Sequence, residues 1–256
     1  MSRAQIISRL RRAGCVFAEE EADLLLASAA SPDELAVMVD QRVGGLPLEH
    51  VLGWVEFYGH SVAVDPGVFV PRRRTELLVA EAVRLGRPGA VVLDLCCGCG
   101  AIGLATRMGL GSVELYAADV EAPSVACARR NLEPVGGQVF WGDLFEPLPP
   151  AVAGRVDLLL ANVPYVPTEA ISLMPPEARD HEPRVALDGG IDGLSVLRRV
   201  SRLAPRWLGP GGHVLVETSE VQAPLAVAIF GDDGLVARIV TAEDLDATVV
   251  VGTRPA

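Results

Sequence analysis

Two carboxylates flank a loop of small residues in the middle of the chain. The loop Cys96-Cys97-Gly98-Cys99-Gly100 follows an apolar run that contains Asp94, and Asp119 closes the next apolar run. Glycine in such a loop lets the backbone approach a ligand closely, and the helix that follows offers free N–H groups. A carboxylate about 20 residues further on can accept hydrogen bonds from both hydroxyls of a ribose. The spacing therefore predicts a site for a nucleotide-like cofactor.

The stretch from Gly98 to Gly103 also fits G-x-G-x-x-G, the fingerprint of dinucleotide-binding proteins. However, a carboxylate at Asp94 would face a pyrophosphate unfavourably, and nicotinamide sites usually have glycine at that place. The same carboxylate suits the cationic methionine end of S-adenosylmethionine (SAM). We therefore predict SAM as the cofactor, with Asp94, Gly98, Gly100 and Asp119 around it. A nicotinamide-dependent oxidoreductase is the alternative.

Three cysteines lie in this loop, and Cys96 and Cys99 have the C-x-x-C spacing of some metal and redox sites. No second pair with zinc spacing follows, and no histidine is close in sequence. Cysteine is also a small residue that packs where glycine, serine or threonine would fit. We therefore predict no metal site and assign Cys96, Cys97 and Cys99 to the cofactor loop.

The second candidate site is the exit of an apolar strand, Asn162-Val163-Pro164-Tyr165. A residue before proline favours an extended conformation, which leaves the Val163 carbonyl exposed at the carboxyl end of the strand. An amide or aromatic amine is a poor nucleophile because its lone pair is delocalised. The Asn162 side-chain oxygen and the Val163 carbonyl could hold its two N–H hydrogens, while Tyr165 stacks on the flat acceptor. These four residues predict N-methylation, with Asn162 also bordering the cofactor; an ordinary strand-to-turn exit is the alternative.

The third candidate site is the pair Asp143 and Leu144, which follows another short apolar run. In folds of this kind the loop after that strand borders the adenine ring of the cofactor. Asp143 could accept a hydrogen bond from the adenine amino group, and Leu144 is assigned to the same wall. A solvated turn is the alternative for Asp143.

The chain that carries these motifs alternates between strands and helices from Thr75 onward. Predicted strands are residues 91–95, 113–118, 138–140, 156–161, 214–217, 235–241 and 248–251. Predicted helices are residues 75–85, 101–108, 123–132, 194–207 and 222–230. Continuous apolar strands between helices indicate a doubly wound α/β sheet covered on both faces. The last two strands are too close for a helix between them, so we predict that the seven-stranded, Rossmann-like sheet ends in an antiparallel hairpin. With the SAM and N-methylation motifs above, we predict the sheet of a class I methyltransferase.

The rest of the chain divides into two predicted parts before the methyltransferase domain at residues 75–256. Residues 1–46 are predicted to form a small helical domain, because Ile6, Ile7 and Leu10 recur at helix spacing and Ser31-Pro32 resembles a capped helix start. Residues 47–74 are predicted to form a linker that contains a β-hairpin.

Composition excludes some classes of protein. All 22 basic residues are arginine, so no lysine is available for a Schiff base or a P-loop. The net charge of -11 argues against DNA as a partner, since non-specific DNA affinity comes from neutralising phosphates. The longest uncharged stretch, between Asp94 and Arg107, is shorter than the ~18 apolar residues of a membrane span. A charged N-terminus and an odd number of cysteines indicate a protein of the reducing cytoplasm, without membrane association.

Taken together, these motifs resemble the protein-(glutamine-N5) methyltransferases, which methylate the glutamine of the Gly-Gly-Gln loop in peptide chain release factors. The matching segments are residues 47–53, 56–59, 70–76, 94–102, 162–165 and 182–194. The resemblance implies a SAM-dependent enzyme whose substrate is a release-factor-like protein, docked by the N-terminal helical segment. It also places Arg72 and Thr75 at the substrate side of the site, although Thr75 could equally be a helix cap.

The chain departs from the family motifs at several of these positions. Val163 replaces the first proline of N-P-P-Y, and Arg73 and Arg74 stand where the family has proline and an acidic residue. Cys96 replaces a glycine, and Leu144 lies near the place of a cofactor-contacting aromatic residue. Methylation of a small molecule or of nucleic-acid adenine therefore stays open as an alternative acceptor chemistry. A SAM-binding scaffold without catalysis is the alternative from another class.

Overall fold

The computed structural model describes residues 1–256, which form ten α-helices and nine β-strands. The helices are α1 (Arg3–Arg12), α2 (Ala18–Ser28), α3 (Pro32–Val43), α4 (Leu48–Leu52), α5 (Glu76–Leu85), α6 (Ala101–Leu110), α7 (Ala122–Leu132), α8 (Pro176–His181), α9 (Ser195–Trp207) and α10 (Ala223–Asp232). The strands are β1 (Trp54–Phe57), β2 (His60–Ala63), β3 (Val91–Leu95), β4 (Glu114–Asp119), β5 (Gln138–Trp141), β6 (Val156–Ala161), β7 (Leu208–Thr218), β8 (Val236–Ala242) and β9 (Ala247–Thr253). No helix combines the length and the apolar character that crossing a bilayer requires.

Seven strands form one sheet in the order β5-β4-β3-β6-β7-β9-β8. Strands β3 to β7 are parallel to one another, whereas β9 is antiparallel to both of its neighbours, β7 and β8. The predicted seven-stranded sheet and its terminal hairpin are therefore confirmed. Strand β7 begins at Leu208, earlier than the predicted residue 214. The prediction began too late because Gly209-Pro210-Gly211-Gly212 has the composition of a loop.

Helices cover both faces of the sheet, as the continuous apolar strands predicted. Val92, Leu158 and Leu160 point to one face, where they share a core with α5, α6 and α7. Leu93 and Leu159, one residue further along each strand, point to the other face and pack with α9 and α10. This alternation follows from the two-residue repeat of a β-strand. Because both faces are buried, the only open part of a central strand is its end.

The N-terminal helices have a small apolar core of their own, formed by residues such as Ile6, Leu10 and Leu25. The predicted cap at Ser31 is present, since its hydroxyl accepts a hydrogen bond from the backbone N–H of Glu34 at 3.1 Å. Helix α4 lies within the range predicted as linker, and its apolar side chains pack against this N-terminal core. The helical cluster thus continues beyond residue 46, and the division into three parts stays a prediction.

A buried arginine joins the N-terminal helices to the larger part of the molecule. The Arg42 side chain is only 7% exposed, and its guanidinium binds Glu21 of α2 at 2.6 Å and Glu177 of α8 at 2.7 Å. The apolar core of this cluster is small, so contacts with the rest of the molecule add to its stability. The ion pair to Glu177 therefore adds a charged contact between the two parts.

The predicted hairpin of the linker is present as the antiparallel pair β1–β2. Its turn is Tyr58-Gly59, and both residues have positive φ angles, 50° and 72°. This pairing is typical of the two-residue turns whose twist matches a hairpin. Phe57 and Val62 are buried in the same core as α5 to α7, so the hairpin packs on the sheet domain. The chain that follows it, around Pro71, enters the wall of the main cavity.

Candidate active site

One large cavity opens at the carboxyl ends of β3, β4 and β6, where open α/β sheets bind their ligands. Together with the open space in front of it, the cavity measures about 1240 Å³. Both the cofactor loop and the strand exit at residues 162–165 line it, so a cofactor and part of an acceptor can lie side by side there. The predicted site residues that line it are Arg72, Thr75, Cys96, Cys97, Gly98, Cys99, Asp119, Asp143, Leu144, Asn162, Val163, Pro164 and Tyr165.

Asp94 and Gly100 are the two predicted residues that the structure does not place in the cavity wall. The Asp94 side chain is fully buried behind the loop, and its Oδ2 accepts a hydrogen bond from the backbone N–H of Gly103 at 2.9 Å. Its other oxygen has no partner, and burial raises the pKa of this carboxyl to about 7. Asp94 therefore anchors the first turn of α6, and its predicted role at the methionine end of SAM stays a prediction.

The three loop cysteines are free thiols, and Cys97 and Cys99 are buried. Burial raises the pKa of the Cys99 thiol to about 12, so it stays protonated and is a weak metal ligand or nucleophile. Cys96 has a φ of 53°, a conformation that glycine adopts more easily, which agrees with its place at a family glycine position. No group of three or more cysteine, histidine or acidic side chains is arranged to hold a metal ion.

Asp119 lies at the end of β4, where it contacts the cofactor loop. Its Oδ2 accepts a hydrogen bond from the Gly98 N–H at 2.8 Å, and its Oδ1 accepts one from the Glu121 N–H at 2.9 Å. Burial raises the pKa of this carboxyl, and these backbone bonds partly oppose the rise. A carboxylate held this way still has lone pairs that can accept from ribose hydroxyls. The loop and Asp119 therefore suit the nucleoside part of SAM.

Asp143 has a cationic partner that the sequence did not indicate. Its Oδ2 accepts a hydrogen bond from the Arg199 guanidinium of α9 at 2.5 Å, and both residues line the cavity. The second carboxylate oxygen is left to accept from a ligand such as the adenine amino group. Leu144, buried beside it, has a φ of 49° and closes this end of the cavity with apolar surface.

The side-chain amide of Asn162 has a defined orientation. Its Nδ2 donates a hydrogen bond to the Thr75 hydroxyl at 3.4 Å, so its oxygen points away from Thr75. Neither that oxygen nor the Val163 carbonyl accepts a hydrogen bond from the protein. Thr75 makes no side-chain capping bond at the start of α5, so holding Asn162 is the contact that the structure shows for it. Two adjacent acceptors are thus free at the cavity wall.

Tyr165 is held through its side chain and through its backbone. Its hydroxyl donates to Oε1 of Glu217 at 2.9 Å, and its carbonyl accepts from the Gln222 side-chain amide at 3.0 Å. The same Gln222 amide donates to the carbonyl of Asp192 at 2.9 Å. Arg74 donates from Nε to Glu217 at 3.2 Å and lies over the Tyr165 ring, 5.9 Å from its centroid.

Arg72 ties the linker to the chain after α8. Its Nη2 binds both carboxylate oxygens of Glu182, at 2.6 and 2.7 Å, and its guanidinium lies 5.0 Å from the centre of the Phe69 ring. Glu182 also accepts from the Val70 N–H at 3.1 Å, and its side chain is almost completely buried. Arg72 therefore closes one side of the cavity.

Three residues that support this site were not singled out from the sequence: Arg199, Glu217 and Gln222. Glu182 was named only as the start of the family match at residues 182–194. Glu217 is an acidic residue at the end of the predicted strand 214–217, which is the same signal that pointed to Asp119. Arg199 is one of several arginines on an amphipathic helix, and nothing in its spacing distinguishes it. Their roles depend on contacts with residues that are distant in the sequence.

Comparisons with known proteins agree with this architecture. A family model described as "Methyltransferase small domain" matches residues 60–174. The 16S rRNA N2 G1207 methyltransferase of Thermus thermophilus, solved with AdoMet and guanosine, has a TM-score of 0.55 and 21% identity, covering 78% of this chain and 49% of that one. The sheet topology and this likeness define the fold of a class I methyltransferase.

Relatives of known name identify the family. The release factor glutamine methyltransferase of Geobacter sulfurreducens is 39% identical over 209 residues, which are 80% of this chain and 72% of that protein. The 4-amino-L-phenylalanine/4-methylamino-L-phenylalanine methyltransferase of Streptomyces pristinaespiralis is 31% identical over 227 residues, 86% of this chain and 77% of that protein. The chain belongs to the release factor glutamine methyltransferase family. The predicted fold class, cofactor and family are thus confirmed, whereas the roles of single site residues stay predictions.

Proposed function

We propose that the chain methylates the side-chain amide nitrogen of a glutamine in a protein, and that this protein is a peptide chain release factor. The observation that carries the proposal is the pair of free acceptors, the Asn162 side-chain oxygen and the Val163 carbonyl. A primary amide has two N–H donors on one nitrogen, which two neighbouring acceptors can bind. The 39% identity to a release factor glutamine methyltransferase supports this acceptor over the small-molecule and adenine alternatives.

When bound, SAM supplies an electrophilic methyl group on a sulfonium. Asn162 and Val163 bind the two N–H groups, which orients the nitrogen lone pair towards the cavity. Val163 in place of proline keeps the carbonyl that this role needs, because only the ring and the missing N–H differ. The Tyr165 ring and Pro164 provide a flat apolar wall for the amide. Since the sulfonium is a good leaving group, positioning contributes more than a strong base. The methyl–sulfur bond would break to leave neutral S-adenosylhomocysteine, and the methylated nitrogen would release one N–H proton to solvent.

The Tyr165 phenol is not a base in this mechanism. Burial raises its pKa, and the negative charge of Glu217 raises it further. The phenol therefore keeps its proton and donates a hydrogen bond to Glu217. Two neutral acceptors and a protonated tyrosine also explain why a chain without lysine can perform this chemistry.

The experiment uses the purified chain, SAM with a labelled methyl group and a release factor of the same cell, followed by mass mapping of peptides. We expect the label on the glutamine of the Gly-Gly-Gln loop. The matched control is the same release factor with that glutamine replaced by glutamate, which has no amide nitrogen. Label on free 4-amino-L-phenylalanine or on adenine in nucleic acid, with none on the loop, would overturn the proposed acceptor. A cytoplasmic location is part of the same proposal.

A further inference from the structure

Glu217 lies behind the acceptor wall and does not line the cavity. It is the next-to-last residue of β7, which runs parallel to β6 with Val216 opposite Ala161. Glu217 is therefore at the same level of the sheet as Asn162, the residue after Ala161. Its side chain is only 2% exposed. A carboxylate this deeply buried needs a partner for its charge.

Two residues of the cavity wall bind the same oxygen of Glu217. The Tyr165 hydroxyl donates to Oε1 at 2.9 Å, and Arg74 Nε donates to it at 3.2 Å. The other oxygen is buried and has no partner. Arg74 is thus the charged partner of this carboxylate, while Tyr165 is its neutral one. A buried group with half of its acceptors unused calls for an explanation beyond stability.

The charge of Arg74 lies at the cavity wall, beside the acceptor motif. Arg74 precedes Thr75, whose hydroxyl orients Asn162, and its guanidinium lies over the Tyr165 ring. SAM carries a positive charge on sulfur, beside the methyl group that must meet the acceptor nitrogen. Two unit charges about 10 Å apart at an effective dielectric constant of about 20 change a binding equilibrium about tenfold. An unpaired guanidinium at this place would weaken the binding of SAM.

We infer that Glu217 is a positioning residue of the methyl-transfer site, which neutralises Arg74 beside the sulfonium and holds the Tyr165 ring at the acceptor wall. Arg74 stands where the family motif has an acidic residue, so this ion pair compensates a substitution of this chain. The inference rests on methyl transfer from SAM and not on the identity of the acceptor. It therefore survives if the acceptor proves to be something other than a release factor.

Isothermal titration calorimetry with SAM and with S-adenosylhomocysteine tests this inference. The two ligands differ by one methyl group and by the positive charge on sulfur, so the ratio of their dissociation constants reports the charge in the site. The variants are Glu217→Gln, Arg74→Gln and the double variant. Arg73→Gln is the matched control, because Arg73 neither lines the cavity nor forms an ion pair. No acceptor is needed.

In Glu217→Gln we expect the affinity for SAM to fall about three- to tenfold relative to the affinity for S-adenosylhomocysteine, because the Arg74 charge is unpaired. In Arg74→Gln the affinity for SAM relative to S-adenosylhomocysteine should be equal to or higher than in the wild type. The double variant should return to the wild-type ratio, and Arg73→Gln should not move it. Equal weakening of both ligands in Glu217→Gln, or no rescue in the double variant, would overturn the inference. If Glu217→Gln does not fold, Arg74→Gln is sufficient for the test. A lower affinity for SAM relative to S-adenosylhomocysteine in that variant than in the wild type would overturn the inference.

Discussion

The Thr75 hydroxyl accepts a hydrogen bond from the side-chain amide of Asn162 at 3.4 Å, although the two residues are 87 positions apart in the chain. This contact decides which end of the Asn162 amide faces the cavity. With its nitrogen bound to Thr75, the oxygen is available to an acceptor N–H. Thr75 is 1% exposed, so water does not compete for its hydroxyl.

Replacing Asn162 by alanine should remove one of the two acceptors for the substrate nitrogen. Loss of one such preorganised polar group typically lowers turnover by about 100-fold or more. The affinity for SAM, measured by calorimetry, should change little, because the cofactor loop and Asp119, which we assign to the nucleoside part of SAM, are unchanged. Unchanged turnover with the true acceptor would show that Asn162 does not hold the nitrogen.

Thr75→Val should lower turnover about tenfold through the loss of amide orientation, with a smaller effect than Asn162→Ala. Thr106→Val is the matched control, since Thr106 is equally buried but its hydroxyl has no partner and lies in α6 away from the cavity. We expect the control to keep wild-type turnover. A loss of turnover in both variants would point to a general packing effect.

Gly193 lies against the backbone of Tyr165. It has a φ of 76°, and a Cβ there would overlap the Tyr165 carbonyl and the Gln222 amide. Gly193→Ala should therefore displace Tyr165, reduce turnover, and cost more stability than the ~1–2 kcal/mol of the left-handed backbone alone. Gly211 has a φ of 74° and open space around its Cβ position. Gly211→Ala thus measures the backbone cost by itself, and urea unfolding of both variants gives the difference. An equal loss of stability in the two variants would mean that the segment around Tyr165 moves away from the added Cβ without a measurable cost.

Asp94 predicts a pH dependence of stability. Burial raises its pKa in the folded chain from 3.8 to about 7, so folding favours the protonated carboxyl. Its contribution to stability is complete below the unfolded pKa and is lost as the pH rises through about 7. The free energy of unfolding of Asp94→Asn minus that of the wild type should therefore rise by about 2–3 kcal/mol as the pH is raised from 5 to 8. Urea unfolding at several pH values measures this difference. A difference that does not vary with pH would mean that Asp94 titrates normally.

The ion pairs of Arg42 predict unequal effects of its partners. Arg42→Met leaves the buried carboxylate of Glu21 without a counter-charge, which typically costs about 3–5 kcal/mol. Glu177→Gln removes a partner whose side chain is 51% exposed, so solvent screening limits the loss to about 1 kcal/mol or less. Chemical denaturation of both variants tests the order. A larger loss in Glu177→Gln would mean that the contact with α8 dominates the stability of the N-terminal helices.

Most of the sheet domain could be predicted because its strands are continuous apolar runs with helices between them. Strands β3 and β6 have the predicted bounds, as does the capped start of α3 after Ser31. The early start of β7 and the short helix α4 were missed, since glycine and proline in both segments resemble loops. Most of the predicted site residues lie in the cavity wall, because the carboxyl ends of parallel strands meet at one edge of the sheet, while their individual roles stay predictions.

The sequence by itself determined the order of strands and helices, the cofactor loop and the acceptor motif, all of which depend on residues close together in the chain. Only the tertiary structure decided that Asp94 lies behind the loop, that Thr75 orients Asn162, and that Glu217 pairs with Arg74 and Tyr165. Except for Asp94 and Gly103, which are close in the sequence, the residues of each of these pairs are about 50 to 150 positions apart in the chain. The direction and burial of a polar side chain depend on which neighbouring strand or helix reaches it, and that is a property of packing.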